Sequence, residues 1–403
     1  MRHLHVAAGG ALTALLLHAS ALHADPSPAA PTTVEQPVPQ AYTAEAFRNM
    51  GRYFPLADVA RSTQVRPLPP GPALRGVDLD GFNAANLSTG MVILHRGQIR
   101  YEAYFQGATA SSHLTSWSVA KSFTSTLLGL ALADGAIKSL DDPVTHYLPE
   151  LADTAYTGVT IAQALRMSSG VQFDETYANG HSDVATYMQT ARAGDANSYL
   201  RTRTARAAPP GTRFNYNSSE TQLLGAVVQR AIRRPLAEYL RERVWQPMGA
   251  EDDAQWTLDR KGGMEIASMG LNARLRDYAR FGLLLARDGK VGDVQVLPAG
   301  WVAKATTPDM AATAYGALIP GYPLGYQFQW WCLPDGAFEA QGVFGQFIYV
   351  DPKRDLVIAK TSAWEDFWVE AKEAEFLKLI AAVTAAIDAE QRPPGTAQVR
   401  NEP

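Results

Sequence analysis

Strand-like patterns stand at both ends of this 403-residue chain and helical periodicity fills its middle, which restricts it to folds that build one sheet from distant segments. Residues 91–105 alternate around Arg96-Gly97 and predict a β-hairpin. Residues 184–192, 220–232 and 236–244 carry apolar positions at helical spacing, and 274–287 adds an amphipathic helix that stops at Asp288-Gly289. Strands are predicted over 326–331, 345–350 and 356–361, the last two joined by a turn at Asp351-Pro352, and 370–387 closes the chain as a helix. The expected class is α/β (α+β): an antiparallel sheet drawn from residues 46–125 and 271–390, flanked by helices, with a largely helical insert over 126–270. A cleft between sheet and insert is the natural place for a site.

With 46% hydrophobic and 19% charged residues the chain can bury a large core. A net charge of -4 and the lack of any Lys/Arg block argue against nucleic acid as a partner. Cys332 is the only cysteine, so no intramolecular disulfide can form. Arg2 with His3 and His5, an apolar run over 6–22 and small residues after it read as a secretory signal, residues 1–24, cut after Ala24 or Ala21. A Pro- and Ala-rich leader, disordered over 25–45, one domain over 46–390 and a disordered tail over 391–403 complete the layout. The expected address is outside the cytoplasm, in a bacterial periplasm, with no stable membrane anchor after cleavage.

His3, His5, His18 and His23 leave with the signal, and His95, His113, His146 and His181 show no ligand spacing, so no metal is expected. No P-loop and no Gly-x-Ser-x-Gly elbow occurs, which argues against a nucleotide enzyme and an α/β-hydrolase; no cofactor is expected.

Chemistry concentrates at Ser118-Val119-Ala120-Lys121, at the head of an apolar stretch over 123–133. On a helix, Ser118 and Lys121 lie three residues apart on one face, near its positive N-terminal end. A serine hydroxyl becomes a nucleophile when a neighbour takes its proton, and a lysine does so only when burial or nearby positive charge lowers its pKa.

These residues, with Ser122-Phe123, Gly135-Ala136-Ile137 and Leu140-Asp141-Asp142-Pro143-Val144 after them, resemble the first motif and helix of the class C β-lactamases and their relatives: penicillin-binding proteins, D-aminopeptidases, esterases and 6-aminohexanoate-dimer hydrolases. Pro210-Gly211-Thr212-Arg213-Phe214-Asn215-Tyr216-Asn217-Ser218, followed by Leu223-Leu224-Gly225, is similar to the second motif, whose tyrosine carries protons. The resemblance implies a β-lactamase/transpeptidase-like fold and an acyl-enzyme mechanism. Ser118 would be the nucleophile, Lys121 and Tyr216 the proton carriers, and the Ser118 and Val343 amides the oxyanion hole. A phenol beside a lysine ammonium is expected to be pushed toward phenolate. Tyr177-Ala178-Asn179 also matches a family tripeptide, but it follows Met167-Ser168-Ser169-Gly170 and is expected to touch substrate instead.

Two places compete for the third motif, a Lys-Thr-Gly or His-Thr-Gly on the strand that edges the site. Lys360-Thr361-Ser362 is the nearer literal match, and Ala340-Gln341-Gly342 has the family's distance to Val350-Asp351-Pro352. The second is favoured, which puts Ala340 where relatives carry the basic residue that helps hold a substrate carboxylate. Tyr177, Ser218, Gly342, Gln346 and Trp331 are the expected substrate contacts. Phe214-Asn215-Tyr216-Asn217-Ser218 and Gly345-Gln346 point most to the 6-aminohexanoate-dimer hydrolases, hence to a small-molecule linear amide or ester as substrate. The alternatives are a carboxylesterase, a β-lactamase or D-aminopeptidase, and a penicillin-sensor-like domain that acylates without turnover.

Overall fold

The protein's computed structural model describes residues 42–319 and 322–391. The expected signal, the expected leader up to residue 41 and the expected tail from 392 lie outside the described residues. Residues 42–45 belong to the fold and not to a disordered leader: the Thr43 side chain accepts from the Ala46 N–H and caps a short helix, Ala44–Phe47.

The chain builds its main sheet from both ends. Strands β1 (Ser88–His95) and β2 (Gln98–Tyr104) form the expected hairpin, with Arg96 and Gly97 both at positive φ, as a tight two-residue turn requires. The remaining strands come from the far end: β3 (Gly325–Gln327), β4 (Trp330–Cys332), β5 (Phe338–Gly342), β6 (Gln346–Asp351) and β7 (Leu356–Ser362). All seven run antiparallel in the order β2-β1-β7-β6-β5-β4-β3, so β1 closes against β7 with His95 opposite Leu356. Everything between β2 and β3 is inserted, including the helices α1 (Ala120–Ala133), α2 (Ser218–Ile232) and α3 (Leu275–Ala286); α4 (Glu370–Glu390) follows the sheet.

Both faces of the sheet are covered, which is why its central strands read as continuous apolar runs. Val92, Leu94, Ile348, Val357 and Ala359 face one core with α3 and α1, while Met91, Ile93, Phe347, Tyr349 and Ile358 face a second core with α4. A smaller four-stranded sheet joins Leu56–Val59, Ala254–Thr257, Leu271–Ala273 and Leu114–Thr115, and the Ser116 N–H donates to Leu271 O at 2.8 Å. That anchor fixes the chain two residues before Ser118.

Two expectations change. The strand predicted over 326–331 is a hairpin, β3 and β4, turning at Phe328 and Gln329 with φ of 36° and 70°. Such turns favour Gly and Asn. Here burial holds the strained pair: Phe328 packs on Trp301 at 5.9 Å, and the Gln329 amide donates to Leu165 O at 2.9 Å and accepts from Thr221 Oγ1 at 2.6 Å. The helix predicted over 236–244 is an α segment, Leu236–Leu240, followed by a π turn, Arg241–Trp245.

A Cβ on Gly129, in the middle of α1, would stand 2.2 Å from the Trp301 ring. Helix propensity alone favours Gly→Ala by about 1 kcal/mol. We expect Gly129→Ala to destabilise instead, by ~1–3 kcal/mol of overpacking, as read by urea unfolding.

On β5, burial pushes the Glu339 carboxyl up to about 8, and Glu373 on α4 adds to the rise. A folded-state pKa above the unfolded value near ~4.3 means the native state binds the extra proton in that window, so stability falls as pH rises through it. Glu339→Gln should show less loss of stability between pH 5 and pH 9 than the parent protein in parallel urea titrations.

Candidate active site

The helix that carries the Ser-x-x-Lys pair begins with a single 3-10 turn, Trp117–Val119, that runs directly into α1. Trp117 sits at φ 44°, a left-handed conformation costly for a bulky residue and found where neighbouring packing enforces it. The enforcing contacts are aromatic: the Trp117 ring lies 5.4 Å from Phe47 and 5.5 Å from Phe344. Ser118, next in the chain, is 8% exposed, and Lys121, one turn on, is 2% exposed.

Lys121 Nζ donates to Ser118 Oγ at 2.9 Å and to Ser268 O at 3.0 Å, and lies 5.2 Å from the centre of the Tyr216 ring. Burial drives the Lys121 pKa down to about 8, while the Glu175 charge works to raise it. Ser268 is itself held by Tyr187, with 2.8 Å between their side-chain oxygens.

Tyr216 stands just before α2, whose start is fixed by Asn217 accepting from the Ser219 N–H at 2.9 Å. Its phenol lies beside Ser118, and its ring stacks on Trp331 at 6.0 Å. The expected shift toward phenolate is not found. Burial raises the Tyr216 pKa, and the Glu175 charge raises it further. Both influences favour the protonated, donor form of the phenol, whereas Lys121 is the group whose pKa is lowered.

Glu175 is the residue that sequence reasoning missed. It accepts from the Tyr177 hydroxyl at 2.6 Å and from the Ser218 N–H at 2.9 Å and hydroxyl, and its charge acts on Lys121, Tyr216 and Tyr177. Burial raises its own pKa, with the Lys121 charge working to lower it. An acid in an irregular loop carries no motif; the only sequence signal was its place two residues before Tyr177.

The other expected contacts divide. Tyr177 joins the site through Glu175, and its ring stacks on Phe367 at 5.0 Å. Trp331 faces Tyr216, whereas Trp330 and Trp364 are core residues. Gly342 backs directly onto the serine: a Cβ there would stand 2.7 Å from Ser116 O and 3.2 Å from Ser118 N. That approach brings the end of β5, and Val343 after it, beside the Ser118 main chain.

Ser218 does not offer its hydroxyl to a substrate, because it is 5% exposed and bonded to Glu175. Gln346 likewise turns inward. It is 2% exposed, and its amide donates to Val343 O at 3.2 Å and Ser362 O at 2.9 Å, bracing the turn from behind. Of the two places weighed for the third motif, residues 340–342 end against Ser118, while the Lys360 side chain is enclosed by aromatic rings.

In chemical terms the site holds a buried hydroxyl, an amine of lowered pKa, a protonated phenol and a strand end at the nucleophile's own main chain, which together suit acyl transfer. The Beta-lactamase family model matches residues 80–382 of the chain. The chain is 30% identical over 336 residues to the 6-aminohexanoate-dimer hydrolase of Paenarthrobacter ureafaciens, covering 80% of this chain and 85% of that protein. It is also similar to a solved structure from Bacillus anthracis provisionally named as a 6-aminohexanoate-dimer hydrolase, with a TM-score of 0.76, 26% identity, and coverage of 87% of this chain and 95% of the other. A family VIII carboxylesterase structure, at 18% identity and a TM-score of 0.59 over 78% of this chain and 99% of its own, shares the fold. The chain thus belongs to the beta-lactamase family, on the serine-hydrolase side of which its buried Ser118–Lys121 pair stands.

Proposed function

We propose that this protein cleaves a small linear amide or ester through an acyl-enzyme on Ser118, with a preference like that of its 6-aminohexanoate-dimer hydrolase relative. The observation that carries the reading is the 2.9 Å contact between Ser118 Oγ and a Lys121 amine whose pKa is about 8. Near neutral pH a fraction of that amine is uncharged and can accept the serine proton as Oγ attacks the carbonyl carbon. Negative charge then develops on the carbonyl oxygen, where the N–H groups of Ser118 and Val343 would receive it. Tyr216 gives its phenolic proton to the departing nitrogen or oxygen and is reprotonated from Lys121. Water attacks the ester on Ser118 by the same steps in reverse, giving up its proton as Ser118 regains one.

A second reading, a carboxylesterase, is favoured by Ala340: the position where relatives place a cation holds a methyl group that is 1% exposed. One assay separates the readings. Purified protein is given a 6-aminohexanoate linear dimer, p-nitrophenyl butyrate and a chromogenic cephalosporin, with Ser118→Ala as control throughout. Serine-dependent amide cleavage supports the first reading, and ester cleavage alone supports the second. Cephalosporin turnover overturns the argument from Ala340. Stoichiometric acylation with no turnover makes the protein a sensor.

We also infer export, on the signal-like pattern of residues 1–24; among the described residues no helix is long and apolar enough to cross a membrane. N-terminal sequencing of the cell-derived protein should begin after Ala21 or Ala24, and a start at Met1 would refute export.

For the mechanism, Ser118→Ala should lower kcat by ~10⁴-fold or more. Tyr216→Phe should cost far more turnover than Tyr177→Phe, since the Tyr216 phenol lies beside the serine whereas the Tyr177 hydroxyl is bonded to Glu175; the opposite order in steady-state kinetics would exchange their roles.

Because the base must be uncharged, kcat/KM should rise with pH to a plateau above about 8, the Lys121 value. Glu175→Gln removes the charge that raises the Lys121 pKa, so the rising limb should move to lower pH. The plateau should drop ~10-fold or more, because the amide keeps one acceptor oxygen and puts a donor where the other oxygen accepted from Tyr177 or Ser218. An unmoved limb would mean that Lys121 is not the titrating base.

A further inference from the structure

Lys360 is a buried lysine that the chemistry above does not use. It lies on β7 opposite Phe347 of β6 and Met91 of β1, and is 1% exposed. Its Nζ sits among four rings, at 5.2 Å from Trp364, 5.5 Å from Phe347, 5.8 Å from Phe376 and 5.9 Å from Phe82. No described carboxylate pairs with it, and the charged group that acts on it is Lys372 of α4, of like sign. Burial and that neighbour both hold its pKa well below the usual lysine range. A buried polar group with so little compensation is expensive to keep unless it holds something in place.

What it holds is the turn behind the nucleophile. Lys360 Nζ donates to Gly345 O at 3.2 Å and contacts Ser362 Oγ at 2.5 Å. The turn Val343-Phe344-Gly345 is strained, with Phe344 at φ 62° and Gly345 at φ 86°, and a Cβ on Gly345 would stand 2.4 Å from the Trp364 ring. Four of its main-chain groups are held, each by a different partner. Gln346 donates to Val343 O, Phe344 N–H donates to Phe367 O at 2.9 Å, Trp364 N–H donates to Phe344 O at 3.3 Å, and Lys360 donates to Gly345 O. Ser362 ties the set together, since Gln346 bonds its carbonyl and N–H while Lys360 contacts its hydroxyl.

We propose that Lys360 is a positioning residue that fixes the Val343–Gly345 turn and, through it, aims the Val343 N–H at the oxyanion. The proposal rests on the oxyanion role given to Val343 above. It predicts a defect in transition-state stabilisation with substrate binding left intact.

The test uses the full-length protein with p-nitrophenyl butyrate, and butylboronic acid as a tetrahedral mimic. Lys360→Met keeps the length and loses the donor. It should keep KM within about twofold, lower kcat by ~10-fold or more and weaken the boronate by a similar factor. Lys360→Gln, which retains a donor, should recover part of the loss. A thermal melt separates this from unfolding. Should Lys360→Met fail to fold, Lys360→Gln and Ser362→Ala carry the test, and both must lower kcat at constant KM. Folded variants with unchanged kcat, or with KM and kcat altered while boronate affinity is not, overturn the proposal. Parent activity that survives Ser118→Ala would instead overturn the reading of the site itself.

Discussion

The site depends on one electrostatic imbalance, the burial of Lys121 beside Ser118 without a full counter-charge. In water the ammonium is strongly preferred; at 2% exposure that preference weakens, and the pKa comes down to about 8. A carboxylate bonded directly to Nζ would cancel the effect by stabilising the charged form. The structure gives Nζ a hydroxyl, a backbone carbonyl and the face of a phenol instead, and places Glu175 where it acts through charge while bonding Tyr177 and Ser218. Lys121 is therefore poised, neither fully charged nor so depressed that it could no longer take a proton. Burial moves the two groups in opposite directions, lowering the Lys121 pKa and raising that of Tyr216, while the Glu175 charge raises both.

Holding that arrangement requires three distant parts of the chain to meet within a few ångströms, and the sheet does this. The pairing of β1 with β7 closes the chain's two ends into one body, α1 is buried along most of its length and packs on α2, and the end of β5 comes up against the Ser118 main chain because residue 342 is glycine. Trp117, just before Ser118, and Phe344, just after Val343, both adopt left-handed backbone and pack on each other at 5.5 Å. Strain at a functional site persists only where the surroundings over-determine it. Here the surroundings are rings: Phe47, Phe344 and Phe367 lock the two turns together, with Tyr42 stacked on Phe344 at 4.7 Å.

Much of this was legible in the sequence where local chemistry and global fold agree. Arg96-Gly97 between alternating residues can form little but a hairpin, and Ser118 with Lys121 at the head of an apolar helix has one meaning in this family. Legibility failed where residues were placed for burial and not for local preference. Phe328-Gln329 gives no turn signal, because its left-handed backbone is held by Trp301, Leu165 and Thr221, all remote in sequence. Glu175 was invisible for the same reason: its importance comes from a loop that brings it to Ser218, 43 residues away. Gln346 and Ser218 look like substrate contacts because they are polar residues inside motifs, whereas in the structure both make their hydrogen bonds within the protein.

The two lysines show how little residue type decides. Lys121 and Lys360 are both buried, both lack a bonded carboxylate, and both have lowered pKa values through desolvation. Lys360 even stands in the better literal match to a Lys-Thr-Gly motif. What separates them is what the nitrogen touches. One meets the hydroxyl of a serine at the head of a helix, where a proton can be taken and returned; the other meets a carbonyl and a serine hydroxyl inside an aromatic enclosure, where a donor can only hold shape. An amine that must move protons has to keep a reacting partner within bonding reach, whereas an amine that holds a turn must be kept from any. The fold separates these demands by placing the first lysine beside the nucleophile and the second in the core beyond the turn, so that β5 and its turn are positioned by one lysine and act together with the other.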